Sequence, residues 1–323
     1  MAVPLKIIIA GGAGFIGRHL VKALSARGHK VYGLAKDRMR GKVLEELGCR
    51  PIIGNLLTNG PWERAIEKFD VAIGCTMPGR RGQAPTMKQV PELLKSHTDA
   101  CSNLILAVHE GMLKGLILTF GVLSYGDHGE EWVDEETPRE PIGYGRFIGP
   151  AVHALAHLAE SKQVKAKFMF PGWAYGNGSW FKDMLLPAFE QGRARVVGSG
   201  GNYMSFVHVE DLAEAYVQAA EEIGYSPPPE ERPVTEMFNL VDDQPMTQKE
   251  WLSEVARALG KPAPPSIPVE ECAQQAGELW TESVTCSVRA KNERAKSRLG
   301  WTLQYPTVHD GVPAAIDAIR KER

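Results

Sequence analysis

Two periodicities take turns along the first half of the chain. Ile7-Ile8-Ile9-Ala10 is an apolar run of strand length, and His19-Leu20-Val21-Lys22-Ala23-Leu24 carries its apolar residues at helical spacing. Lys30-Val31-Tyr32-Gly33-Leu34-Ala35-Lys36 predicts a second strand, Phe69-Asp70-Val71-Ala72-Ile73-Gly74-Cys75 a buried strand, and Leu116-Ile117-Leu118-Thr119-Phe120 another, with a helix over 102–111 between the last two. Lys167-Phe168-Met169-Phe170 predicts a further strand, and 211–223 a helix ended by Gly224. This alternation predicts an α/β fold with a doubly wound parallel sheet. After the stiff, polar connection Ser226 to Pro233, the helices expected over 251–259 and 290–299 surround a second proline-rich stretch without repeated β–α alternation. We therefore expect a nucleotide-binding domain over 1–172 with 204–243, and a smaller substrate lobe over 173–203 with 244–323.

The junction between the first strand and helix carries the chemistry. Gly11-Gly12-Ala13-Gly14-Phe15-Ile16-Gly17 opens the helix directly after the apolar run. In a Rossmann-type unit Gly11 permits the tight turn, Gly14 lets the backbone approach a pyrophosphate, and Gly17 lets helix pack on strand. The free N–H groups of the helix start then receive the anion. The second strand ends in Ala35, where a carboxylate would hold the ribose diol of NAD, and Lys36, Asp37, Arg38 and Arg40 follow. Cations there suit a 2′-phosphate, with Lys36 and Arg38 as its ligands, so NADP(H) is expected in preference to NAD(H). Cys75, Thr76 and Met77 end a strand on the edge where ligands bind in open α/β sheets.

Composition narrows the partners. The chain has 323 residues, enough for a substantial core, and a formal net charge of −2, which gives no reason to expect nucleic acid or an anionic membrane surface. Its start lacks the basic region and apolar core of a signal peptide, and no stretch is long and apolar enough to span a bilayer, so a cytoplasmic protein acting on a small molecule is expected. Five cysteines, odd in number and widely spaced, argue against a disulfide framework or a zinc site.

Several segments together resemble the extended and atypical short-chain dehydrogenase/reductases, the NAD(P)-dependent epimerase/dehydratase group. These are the glycine turn, Val122-Leu123-Ser124-Tyr125-Gly126-Asp127, Pro171-Gly172-Trp173-Ala174-Tyr175-Gly176, Ser205-Phe206-Val207-His208-Val209-Glu210-Asp211-Leu212-Ala213, and Leu299-Gly300-Trp301. The resemblance implies that Pro171, Gly172 and Trp173 lie beside a nicotinamide, that Asn55 and Leu56 stand near the adenine where the family usually has an aspartate, and that the Tyr144 helix forms a homodimer.

Departures from that pattern bear on the reaction. The resemblance implies a Tyr-x-x-x-Lys helix and a nearby Ser or Thr, whereas the best match here is Tyr144-Gly145-Arg146-Phe147-Ile148, and the Ser/Thr place falls on Gly121. A tyrosine with its ordinary pKa near 10 is ionised in about one molecule per thousand at pH 7, so Tyr144 would be a poor base and a serviceable acid or hydrogen-bond donor. Thr119 and Ser124 are the hydroxyls available to replace the missing one.

Other candidates are weaker. Arg146 stands two residues from Tyr144 and reads as a solvated side chain. His153 and His157, four apart, lack a third ligand, so no metal is expected. His208 reads as structural, Cys75 has no basic partner in sequence, and Arg80-Arg81 reads as a solvated loop more readily than as a contact for an acidic substrate. Trp173, Tyr175, Trp180 and Phe181 suit either an apolar pocket or the core.

Three functional classes follow. The first is an NADP-dependent oxidoreductase reducing a carbonyl of a small organic molecule with Tyr144 as proton donor. The second is a redox-neutral isomerase, cyclase or dehydratase that keeps the nucleotide as scaffold, and the third a non-catalytic NADP(H)-sensing protein. The first is preferred.

Overall fold

The computed structural model describes residues 3–77, 85–111, 113–226 and 235–322. Seven strands form one parallel sheet: β1 (Lys6–Ala10), β2 (Lys30–Ala35), β3 (Arg50–Ile53), β4 (Val71–Gly74), β5 (Gly115–Thr119), β6 (Ala166–Pro171) and β7 (Glu236–Leu240). Their spatial order is β7-β6-β5-β4-β1-β2-β3. Chain direction across the sheet reverses between β1 and β4, so the crevice at the C-terminal ends of those two strands is the place where such a sheet takes a ligand. The fold is the Rossmann type that the alternating pattern predicts.

Side-chain alternation along the strands makes two cores. Ile8, Ala10, Ala72, Leu116, Leu118, Phe168 and Phe170 pack towards the helices Val90–Glu110 and Val152–Ser161. Ile7, Ile9, Val71, Ile73, Ile117 and Met169 pack towards the helices Phe15–Ala26 and Val209–Tyr225. A third apolar cluster, with Tyr175, Phe181, Phe206 and Trp251, joins the helices Gln248–Leu259 and Val308–Lys321. Trp301 is buried with the helix Val209–Tyr225 and donates its indole N–H to the Asp211 carbonyl.

Five elements differ from the sequence expectation. The helix expected over 102–111 begins at Val90, with Pro91 in its first turn. Polar Lys95, Ser96, Thr98 and Asp99 conceal its first half, yet Leu93, His97, Ala100, Cys101 and Leu104 form one continuous buried face. Gly224 does not end its helix, which runs on to Tyr225; a Cβ there would lie 2.4 Å from Leu5 Cδ1, so the glycine serves close packing. The expected helix over 290–299 starts at Glu293, because Arg289–Ala290 pairs in parallel with Trp132–Val133. Strands β3 and β7 escaped the pattern, β7 because Glu236 and Asn239 interrupt its apolar run; Asn239 is buried and accepts from the Tyr125 hydroxyl at 2.8 Å. Apart from Ser226, the proline-rich connection lies outside the described residues.

Candidate functional site

The glycine turn is built as its spacing requires. Gly11 has φ +93°, and a Cβ on it would sit 2.6 Å from the Cys75 carbonyl oxygen. A Cβ on Gly17 would fall 2.2 Å from the Gly11 carbonyl oxygen. Gly14 donates to the Gly11 carbonyl at 2.8 Å and stands at the N-cap of Phe15–Ala26, a helix with no side-chain cap. The first N–H groups of that helix therefore remain available for an anion at the switch point.

At the end of β2, Asp37 caps the helix Arg38–Glu46 by accepting from the Arg40 N–H, and its other oxygen pairs with the Arg40 guanidinium at 2.5 Å. The backbone N–H and the guanidinium of Arg40 hold this carboxyl below its ordinary range. Lys36 and Arg38 are exposed and make no ion pair among the described residues. Asn55 Oδ1 accepts from the Leu57 N–H, and the buried Leu56 gives its carbonyl to Asn103.

A cleft opens along the same sheet edge. Phe15, Ile16, Cys75, Thr76, Met77, Thr119, Tyr144, Pro171, Gly172, Trp173 and Trp180 all line it, so most of the expected cofactor residues meet there. Gly11, Gly14, Gly17, Lys36, Arg38, Asn55 and Leu56 lie outside that lining. The Tyr144 side chain is half-buried, and its hydroxyl makes no hydrogen bond among the described residues. Burial pushes its phenol above the ordinary value. Trp173, Trp180, Trp280 and Tyr144 form a chain of ring contacts, with centroids 5.5 Å apart for Trp173–Trp180, 6.0 Å for Trp173–Trp280 and 6.1 Å for Tyr144–Trp280.

The two departures from the family pattern touch each other. A Cβ on Gly121 would lie 3.2 Å from Ile148 Cδ1, and Ile148 is 4 % exposed. A methyl group thus fills the region where the resemblance implied a hydroxyl and an ammonium. The helix carrying Tyr144 is also short: Gly145–Ile148 ends at Gly149-Pro150. It is tied down from outside the Rossmann elements. Arg146 is not free in solvent but forms a two-point ion pair with Glu282 at 2.8 and 2.9 Å, while Ser283 accepts from the Tyr144 N–H at 2.8 Å.

Of the two candidate hydroxyls, Thr119 lines the cleft and shares a 2.6 Å hydrogen bond with Tyr216. Ser124 is fully buried, donates to the Gly121 carbonyl at 2.7 Å and is not among the lining residues. Cys75 lines the cleft, but burial pushes its thiol up to about 12, which removes the thiolate a nucleophile needs. The aromatic quartet divides: Trp173 and Trp180 face the cleft, whereas Tyr175 and Phe181 are fully buried in the third core. His208 is buried, accepts from the Glu210 N–H at the start of its helix, and is driven by burial down to about 4. His153 and His157 are exposed, and the described residues contain no cluster of three or more metal-ligating side chains. Arg80 and Arg81 lie outside the described residues. No helix among the described residues is long and apolar enough to cross a membrane.

Two residues of the site escaped the sequence reading. Trp280 arrives from the helix Glu278–Thr285, more than a hundred residues after Tyr144, and no local pattern joins them. His97 lines the cleft from the helix Val90–Glu110; its place on that helix's buried face was the available signal.

Comparison with known proteins agrees with this fold. The family model described as NAD dependent epimerase/dehydratase family matches residues 7–232. A Streptomyces protein named 3-diazoavenalumate denitrifying reductase is 25% identical over 316 residues, spanning 95% of this chain and 99% of its own. The human epimerase family protein SDR39U1, solved with NADPH, superposes with a TM-score of 0.75 at 18% identity, over 97% of this chain and 99% of its own. MoeE5, solved with UDP-glucuronic acid and NAD, reaches 0.77 at 21% identity, over 98% of this chain and 100% of its own. The chain belongs to the NAD dependent epimerase/dehydratase family.

Proposed function

We propose that the protein is an NADP(H)-dependent reductase of a small organic carbonyl compound, with a planar aromatic or conjugated body, in which Tyr144 is the proton donor. The observation that carries this reading is the unpartnered Tyr144 hydroxyl at the wall of an apolar, tryptophan-rich cleft beside the nucleotide turn. Burial raises the phenol, and Ile148 replaces the lysine that would lower it, so the group keeps its proton. A retained proton suits delivery to a developing alkoxide and opposes alcohol oxidation.

The residues present fit a dinucleotide phosphate. Gly11 and Gly17 let strand, turn and helix close on one another where a Cβ would collide, the helix start has free N–H groups, and Lys36 with Arg38 offers charge unpaired among the described residues for a 2′-phosphate. NADPH when bound supplies a hydride. Tyr144 gives its phenolic proton to the oxygen of the reduced carbonyl and recovers one from water. Trp173, Trp180 and Trp280 exclude water and stack on a flat substrate. The Ser124 hydroxyl is spent on the Gly121 carbonyl and Thr119 shares its own with Tyr216, whereas the Tyr144 hydroxyl has no partner among the described residues, so the reading rests on Tyr144. The Streptomyces relative is a reductase by name, the direction that a protonated tyrosine serves.

The test is loss of absorbance at the NADPH wavelength with a panel of planar aldehydes and ketones, trans-cinnamaldehyde first. Turnover that falls about a hundredfold in Tyr144→Phe, with NADPH binding unchanged, supports the reading. Product formation without net consumption of nucleotide would move the protein to the redox-neutral class. Tight NADPH binding with no turnover would move it to a sensor.

A further inference from the structure

Beside Tyr144, His97 is a second cleft residue whose side chain offers a polar atom without a partner among the described residues. The residue is 2 % exposed, it is one of those that line the cavity, and Nδ1, itself almost without accessible surface, has no hydrogen-bond partner among the described residues. A buried polar nitrogen left without a partner costs on the order of 1–3 kcal/mol, and at the wall of a cleft a ligand can remove that cost. The ring is held from the remaining sides: Phe120 meets it edge-on with centroids 5.7 Å apart, and Cys101 Sγ lies 3.9 Å from Nε2, one helical turn along. Burial lowers the imidazole to about 4 and raises the Cys101 thiol to about 12, so the pair is neutral and the thiol keeps its hydrogen. A thiol hydrogen turned to Nε2 leaves the ring proton on Nδ1, as a donor.

A carbonyl oxygen has two lone pairs, and Tyr144 addresses one. The family pattern would fill the other with a hydroxyl at Gly121, which this chain lacks; the Ser124 hydroxyl is spent on the Gly121 carbonyl, and Thr119 shares its own with Tyr216. We propose that His97 is a catalytic residue of this cleft, donating from Nδ1 to the carbonyl oxygen of a planar conjugated ligand and supplying the hydrogen bond that Gly121 cannot. A neutral imidazole can polarise a carbonyl without releasing its own proton, so proton transfer stays with Tyr144. This inference rests on the carbonyl reading above.

The experiment uses the full chain saturated with NADP⁺ and trans-cinnamaldehyde labelled with carbon-13 at its carbonyl, a complex that cannot turn over. Imidazole nitrogen-15 NMR reads the His97 tautomer, infrared spectroscopy reads the carbonyl stretch, and tryptophan fluorescence reads affinity. The expected result is a neutral ring protonated at Nδ1, a nitrogen shift when the aldehyde binds, and a carbonyl stretch lowered in the wild type. In His97→Phe that lowering shrinks and the aldehyde binds about tenfold more weakly, while NADPH affinity is unchanged; His97→Asn, which keeps a donor, recovers part of both. A ring protonated at Nε2, an aldehyde that leaves Nδ1 unshifted, or no binding of the aldehyde overturns the proposal, and the wild-type spectra decide this even if a variant fails to fold. If the Nδ1 shift appears but NADPH is never oxidised, the hydrogen-bond assignment stands and the reductase reading falls.

Discussion

At the scale of single residues, Ile148 and Gly121 stand where the family resemblance implied a lysine and a hydroxyl. Ile148 and Gly121 fit each other, 3.2 Å from Cδ1 to a notional Cβ, so restoring one family residue alone does not restore the site. Ile148→Lys would place an ammonium at a position that is 4 % exposed. A buried lysine titrates several units below its unfolded value, and three such units correspond to about 4 kcal/mol. We expect Ile148→Lys to lose on the order of 4 kcal/mol of stability at pH 7 in urea melts, and to recover as pH rises towards 10 because the unfolded chain then gives up the same proton. An unchanged melt at pH 7 would mean that the ammonium finds a partner or water. The glycine turn belongs to this scale too. Gly11 and Gly17 were legible in sequence because the constraint is local, whereas His97 was not, since its importance comes from an unpartnered nitrogen that only neighbours can define.

Among the elements, the helix Arg38–Glu46 and the segment around Tyr144 each depend on a capping or tethering contact. Asp37 is engaged by its cap and by Arg40, whereas Lys36 and Arg38 make no ion pair among the described residues, and the proposed function gives them the 2′-phosphate. Replacing either by alanine should weaken NADPH binding roughly 10- to 100-fold with little effect on NADH, as expected for one charge-assisted hydrogen bond of about 1.5–3 kcal/mol; fluorescence titration with both nucleotides checks it. Equal loss for the two nucleotides would remove the 2′-phosphate assignment. Around Tyr144, the Arg146 guanidinium holds the Glu282 carboxyl below its ordinary range, and the same carboxylate accepts from the Gly143 N–H at 2.9 Å. A carboxyl with a lowered folded pKa stabilises fully above its unfolded value, about 4.3, and that contribution fades as pH falls through the lower folded value. Glu282→Gln should therefore cost about 1 kcal/mol at pH 7, a modest figure because the pair is partly solvated, and nothing at pH 2–3. Thermal melts across that range would show the two proteins converging in acid. The tether was invisible in sequence because Arg146 and Glu282 belong to separate parts of the chain.

For the whole molecule, the tertiary fold also buries charge that no local rule anticipates. Asp242 is 2 % exposed, its Oδ2 has no partner among the described residues, and burial pushes its carboxyl well above the ordinary value. Such a group binds protons more readily folded than unfolded, so it costs stability as pH rises above about 3.9, the unfolded value. Asp242→Asn should raise the melting temperature at pH 7–8, by the equivalent of about 1 kcal/mol or more, and make little difference near pH 3; calorimetry at the two pH values distinguishes this from a general packing effect. Sequence alone determined the Rossmann alternation, the glycine turn and the basic segment after the second strand, because each is written in neighbouring residues whose spacing sets backbone geometry. It missed β7, whose Glu236 and Asn239 look wrong for a strand until Lys167 and Tyr125 meet them. Only the tertiary structure decided that Ser124 is buried away from the cleft, that Trp173 and Trp180 face it while Tyr175 and Phe181 do not, that His97 lines it with Tyr144, and that Trp280 meets the Tyr144 ring. Those facts depend on which surfaces fold against one another over long separations, and residue spacing carries no record of that.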